Sequence, residues 1–335
     1  MFVSTMAFCQ TQISDYKPGI TPEGAVYFLP KTAIRVEVKV EKTTFTPGEF
    51  CKYAERYLRL GNVQRKASVT HRVIDCNIMP YGEADKEKAF AVKFNAKSSA
   101  SNIRLTDDGR LVALNTEPTA EPQFAVFTPA PKPQLENPRD LMSEEILSAG
   151  STAKMAELTA REIYDIRESK NALNRGEADF MPKDGEQLRI MLDNLNRQDR
   201  ILSSTFSGTS TKDTAEVVFT LCPDKEIERQ VLFRLSNQLG VVDADDLSGT
   251  PYYINVKDLK TVPEESADEG KKKKEKEDGI YVNVPSKVAV TVLDGNSPIA
   301  SAEFQAGQFG HTELLSGELF NKRYTTRLKL SPTTG

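Results

Sequence analysis

The chain has 335 residues, a formal net charge of −4 and 39% hydrophobic residues, enough for a core in each of two or three domains. Acidic and basic residues are mixed along most of it, and the absence of a broad basic stripe excludes nucleic acid as a partner. No apolar run approaches the roughly 20 residues that span a bilayer, so an integral membrane protein is excluded and a soluble or tethered one expected.

The first residues, MFVSTMAFCQTQ, differ in character from the rest of the chain. Phe2 to Phe8 resembles the end of a signal h-region, and Ala7-Phe8-Cys9 before Gln10 fits a small-x-small cleavage site. Residues 1–12 are therefore expected to be a signal remnant, with export to the periplasm or cell surface. Phe8 stands where lipoprotein signals carry a small residue, which argues against a lipid on Cys9. Cys51, Cys76 and Cys222 read as buried thiols, with a Cys51–Cys76 pairing left open; no pair has the CxxC spacing of a zinc site.

Residues 13–116 form a β-rich N-terminal domain with one short helix. Ile34, Val36, Val38 and Val40 alternate with Arg35, Glu37 and Lys39, the period of a half-buried strand. Thr46-Pro47-Gly48-Glu49 opens the short helix, which runs through Tyr53, Tyr57 and Leu58 toward Gly61. Strands are expected around 68–79 and 88–96. Thr106-Asp-Asp-Gly109 then predicts a hairpin, with Asp-Gly suited to a type I′ turn. Residues 117–138, with PAPKP at 129–133, predict an extended linker along a surface.

Residues 139–207 predict two long helices joined by a short turn. The first, from about Ser151 to Arg175, places Met155, Leu158, Ile163, Ile166 and Leu173 at helical spacing, with Gly176 as its stop. The second starts near Pro182 to Gly185, where Asp184 and Gln187 resemble a capping box. Leu188, Met191, Leu192, Leu195, Leu202 and Phe206 form its stripe. At roughly 23 residues it is about 35 Å long. One apolar stripe per helix predicts an antiparallel hairpin. The charged outer face favours packing on the chain's own β domains over projection toward a partner.

Residues 208–335 form a β-rich C-terminal domain. Strands are expected near 216–221, 230–235 and 252–256, on either side of Asp294-Gly295-Asn296, and at 325–330, with 263–279 as a solvated charged loop. Gly24 with Pro30, and Gly279 with Pro285, each precede an alternating strand, an echo compatible with two related β modules or with chance.

Templates for chemistry are absent: no HExxH, GxGxxG, GxSxG, phosphate loop or EF-hand loop occurs. His71 lies in an alternating strand and His311 in an expected loop, neither beside a recognisable nucleophile. Asp243, Asp245 and Asp246 are oxygen donors suited to calcium, without the spacing of a known loop. Tyr252 and Tyr253 suggest a stacking surface for a sugar, although strand neighbours point to opposite faces, so only one of the two can serve. These five residues are the candidate binding face; no metal, cofactor or catalytic residue is assigned.

GAVYFLPKTAIRVEV, TPGEFCKYAERYLRL, STAKMAELTAREIYDIRESKNALNRGEADFMPKDGEQL, VVDADDLSGTPYYI and LFNKRYTTRLKLSPTTG together resemble an uncharacterised Bacteroidetes family, domain of unknown function 4831, from about Gly24 onward. The resemblance implies an export signal and brings no activity, ligand or site residue. The expected fold is α+β, with two β-rich modules flanking a central antiparallel helical hairpin. The expected function is interaction or scaffolding, without catalysis, in the cell envelope, with an envelope protein or glycan as partner. A glycan- or peptide-binding module and a hydrolase with an unrecognised site are the alternatives.

Overall fold

A computed structural model describes residues 19–21, 24–93, 103–263, 279–316 and 327–335. The expected signal remnant at 1–12, and the charged loop apart from its ends at 263 and 279, lie outside the described residues. So do 94–96 and 325–326, at the ends of two expected strands.

Strands β1 (Gly19–Thr21), β2 (Gly24–Thr46) and β3 (Ser68–Lys93) run antiparallel in that order. β3 is one strand where the sequence suggests two. Its partner register jumps from Phe28↔Ala89 to Leu29↔Asp85, so residues 86–88 bulge out of an otherwise continuous ladder. The 106–109 turn joins β4 (Ile103–Leu105) to β5 (Leu111–Leu114). Within it only Gly109 takes positive φ, at 87°, and its N–H donates to Thr106 O at 2.9 Å. With a register shift at Leu105, this is a type I turn followed by a glycine bulge. The type I′ expectation is corrected because Asp108 keeps negative φ and turns its carboxylate to Thr106 and Arg110.

A 3-10 turn, Cys51–Tyr53, leads into α1 (Ala54–Leu58). Then come α2 (Glu144–Leu147), α3 (Thr152–Arg175) and α4 (Gly185–Ser207). The Ser151 hydroxyl accepts from Lys154 N at 3.2 Å, and Gly176 ends α3 at φ 72°. The Asp184 carboxylate accepts from Gln187 N at 2.8 Å. The return bond from Gln187 reaches Lys183 N, one residue earlier than in a standard capping box. The two long helices meet through Asp199 of α4, which accepts from Arg167 at 3.2 Å and Lys170 at 2.7 Å of α3.

β6 (Thr209–Leu221), β7 (Ile227–Ser236), β8 (Gly240–Val242), β9 (Thr250–Asp258), β10 (Gly279–Asp294), β11 (Ser297–Ser316) and β12 (Leu328–Lys329) complete the chain. Five of them form an antiparallel sheet in the order β11-β10-β9-β7-β8, and β12 joins β5. Gly295, at φ 59°, begins the two-residue turn between β10 and β11, the position that glycine takes in a type II′ hairpin.

The two β-rich segments are not separate modules. β6 pairs with β2 from Ile34↔Leu221 to Thr46↔Thr209. The apolar face of β2 also packs on the five-stranded sheet: Ile34, Val36, Val38 and Val40 share a core with Phe233, Ile254, Val288, Val290 and Val292. Each such side chain contributes about 1.5–3 kcal/mol on burial, so neither half keeps its stripe covered alone. A second core joins Tyr27 and Leu29 of β2 to Ile280 and Val282 of β10, with Leu111, Leu114 and Leu330. The strands opened by Gly24 and Gly279 therefore both run through two cores, each with a register break near its proline.

The helical stripe packs elsewhere than expected. Ala156, Ile163, Ile166, Leu202 and Phe206 bury against Phe50, Ala54, Leu58, Met142 and Ile146, a core built without any strand residue. Helices, not β domains, cover the base of the pair. Cys51 is buried, whereas Cys76 and Cys222 are partly exposed, and all three are free thiols.

Arg110 is 6% exposed and holds Asp108 at 2.8 Å, Glu121 at 2.5 Å and the Pro332 carbonyl. Truncating it leaves the Pro332 carbonyl without that donor, while Asp108 and Glu121 remain open to water, so Arg110→Ala is expected to cost about 1–3 kcal/mol in urea unfolding. For Asp199, burial opposes ionisation, but bonds from Lys170, Arg167 and Ser203 outweigh it and hold the carboxyl below its usual range. Stability from this depressed pKa is present above the unfolded value and is lost as pH falls through the folded one. Asp199→Asn should lower Tm by about 2 °C near neutral pH, and by nothing measurable near pH 2, in thermal melts followed by circular dichroism.

Candidate functional site

The candidate face lies at the turn between β8 and β9. Asp243, Asp245 and Asp246 are exposed. Arg234 of β7 donates to Ala244 O at 2.7 Å and Gly249 O at 3.2 Å, clamping the turn from beneath. Asp246 is engaged locally: its carboxylate accepts from Ser248 N at 2.9 Å, and that backbone bond holds its pKa below the ordinary value. Among the described residues no group of three or more His, Cys, Asp or Glu side chains is placed to hold a metal ion.

The two tyrosines separate as strand alternation requires. Tyr252 is 6% exposed and stacks at 4.6 Å on Phe233, which stacks in turn on Phe219 at 5.0 Å. Burial, with Asp294 beside the hydroxyl, pushes its phenol up to about 12. The structure therefore removes Tyr252 from the candidate surface and makes it a core residue. Tyr253 points the other way, with the Arg229 guanidinium 4.4 Å over its ring. A ligand stacking there has to displace or share that cation.

Next to the acidic turn, Leu235, Asn237, Gln238, Leu239, Ser248 and Thr250 line a depression of ≈ 430 Å³. His71 of β3 contacts the β7–β8 turn: its Nδ1 lies 3.0 Å from Asn237 O, and its ring packs over the site of a Cβ on Gly240. His71 thus fixes the β7–β8 turn.

A larger cleft of ≈ 680 Å³ escapes sequence reasoning. It forms where the exit of β2, the linker and the end of α4 converge, and Leu135, Met142, Ile201 and Thr205 line it together with Glu49 and Arg200. Phe50 N donates to Thr205 O at 2.7 Å, and a Cβ on Gly48 would collide with that oxygen, so the backbones meet at one of its walls. The linker reaches this wall across the outer face of the β2 sheet. Phe124 lies edge-on to Tyr81 at 5.8 Å and under Arg35 at 4.5 Å, Lys132 pairs with Asp213 at 2.8 Å, and Glu136 pairs with Arg197. A run of prolines and the serine-rich end of α4 were the signals available, and neither indicates a cavity.

Among the described residues, none of the three apolar cores takes in the α3–α4 pair beyond Leu195. Leu173 is buried there, while Leu188, Met191 and Leu192 are half-buried. Phe180 at 68% exposure, Met181 at 39% and Ile190 at 49% face solvent. No helix among the described residues is long and apolar enough to cross a membrane.

A family model described as Domain of unknown function (DUF4831) matches residues 23–335, from the start of β2 to the last residue of the sequence. No curated protein and no solved structure matches the chain. The matched span takes in the double-core β structure, the helical core and the cleft, and the chain belongs to the family Domain of unknown function (DUF4831).

Proposed function

We propose that this is a non-enzymatic exported protein of the cell envelope, in the periplasm or at the cell surface, that works by interaction or scaffolding. In this reading α3 and α4 act as a central antiparallel helical hairpin, braced at its base and free at its tip. The observation that carries it is the exposure of Phe180, Met181 and Ile190 on an arm whose own core ends before them. Scattered apolar side chains are ordinary on a surface, but three on the unsupported end of one arm mark a contact region. A second reading, a glycan- or peptide-binding module, is favoured by the depression beside Asp243, Asp245 and Asp246, with Tyr253 as its one available ring.

The arm is tested with Phe180→Asp/Ile190→Asp, which leaves every core residue in place. Pull-downs from envelope extracts are expected to lose partners recovered with the unaltered chain, at unchanged Tm. Retention of all partners would sink the arm reading and move weight to the β7–β9 face. Export is tested separately: mass spectrometry of protein recovered from envelope fractions is expected to find a mature N-terminus at Gln10.

A further inference from the structure

We infer that the free edge of β6 receives an extended segment of another protein, which adds to the β2 sheet as a further strand. That segment carries apolar side chains at alternate positions and a lysine or arginine on its other row. β6 pairs with β2 along its whole length, and among the described residues no strand lies on its other side. A strand so placed presents a row of backbone N–H and C=O groups with pairing left to make.

The other edges in the molecule are blunted. β3 carries Pro80, and its ladder is interrupted by the extra residues Ile74 and 86–88. β11 carries Pro298, and Ile299 and 307–310 interrupt its ladder. The remaining edge strands, β1, β4, β8 and β12, are 2 or 3 residues long. Proline, bulges and shortness are the means by which sheets keep foreign strands off. β6 has none of them. It matches β2 at thirteen positions without a break, and its sequence, TSTKDTAEVVFTL, holds neither proline nor glycine. The linker reaches it at Asp213, through Lys132. Residues 215–221, AEVVFTL, lie beyond that contact, and their Val, Phe and Thr side chains favour an extended chain.

The core specifies what the incoming side chains must be. On β2, Ile34, Val36 and Val38 are fully buried, whereas their β6 partners Leu221, Phe219 and Val217 are half-buried and Ala215 is exposed. Phe219 stacks at 5.0 Å on the buried Phe233 of the opposite sheet. The core between the sheets therefore runs out to β6 and ends there uncovered. Alternate side chains of an added strand fall on that row, where apolar ones complete its closure. The other row of 215–221 holds the segment's one charge, Glu216. Lys39, opposite it on β2, is already paired with Asp75 at 2.8 Å. A lysine or arginine against Glu216 is the complementary choice, and it fixes which row of the incoming strand faces the core.

The probe is a synthetic peptide of about eight residues that alternates valine with threonine, with one lysine among the threonines. Titrated against the full chain and followed by hydrogen exchange, it is expected to bind and to protect amides within 215–221. The same peptide methylated on its backbone nitrogens keeps the apolar row but has no N–H to give, and should not bind. Val217→Lys puts an ammonium in the row to be covered and should weaken binding about tenfold or more. Val217 lies outside the apolar core, so this variant should fold with little change in Tm. Glu216→Lys should also weaken binding, and a peptide with glutamate in place of its lysine should recover it. No binding, protection confined to other segments, or equal binding of the methylated peptide overturns the proposal. So does an unliganded chain that is already protected at 215–221 and runs at twice its 37.2 kDa mass, because a second copy is then the occupant.

Discussion

Strand β2 has two edges to satisfy and lacks a neighbouring strand along part of one of them. β3 covers the whole first edge, whereas on the second β1 pairs with residues 24–26 and β6 takes over only at Ile34. A buried backbone group left unpaired costs about 1–3 kcal/mol, so the interval between is where the fold is most exposed to failure. Substitutes fill it. Gly109 O accepts from Phe28 N at 2.9 Å, and Asn283 donates to Pro30 O at 2.9 Å. Gln308 pairs with both the N–H and the carbonyl of Thr32, at 2.9 and 2.8 Å, much as a strand residue would. Proline at position 30 has no N–H to satisfy.

That repair ties together segments far apart in sequence. Asn283 also donates to Thr334 O, the Thr32 hydroxyl donates to Thr333 O, and Gly307 N donates to that hydroxyl. The last residues of the sequence are thereby wedged between β2 and β10. Glycine is required at the crossing: a Cβ on Gly82 would collide with Pro332 O, and one on Gly307 would meet the Asn283 amide at 2.7 Å. The two β cores are thus continuous through one polar neck.

Legibility in the sequence tracks the range of the forces involved. Ser151, Gly176 and Asp184 announce helix ends because a cap acts on backbone within four residues of itself. The alternation of Ile34 to Val40 likewise gives a strand and its buried face. Nothing in that alternation says that β6, more than 160 positions on, is the neighbour. Pairing is decided by which stripe and which edge remain uncovered, a property of the assembled chain. The same limit explains the candidate face. Tyr252 and Tyr253 were separable by strand parity, but which of them faces the core depended on Phe233 and Phe219. The cleft beside α4 depended on three segments meeting, and no one of them carries its signature.

The helical core adds a further consequence. Because Phe50, Met142, Ile163 and Phe206 close it without any strand, the arm is anchored where β2 leaves and β6 enters, at Thr46↔Thr209. Gly208, at φ 83°, makes that junction, and a Cβ there would lie 2.6 Å from Thr46 O. The β2–β6 ladder that begins there pairs thirteen positions between the two halves of the chain. The distal half of the arm contributes nothing to either β core. Among the described residues, Phe180 in the segment between α3 and α4 belongs to none of the three apolar cores.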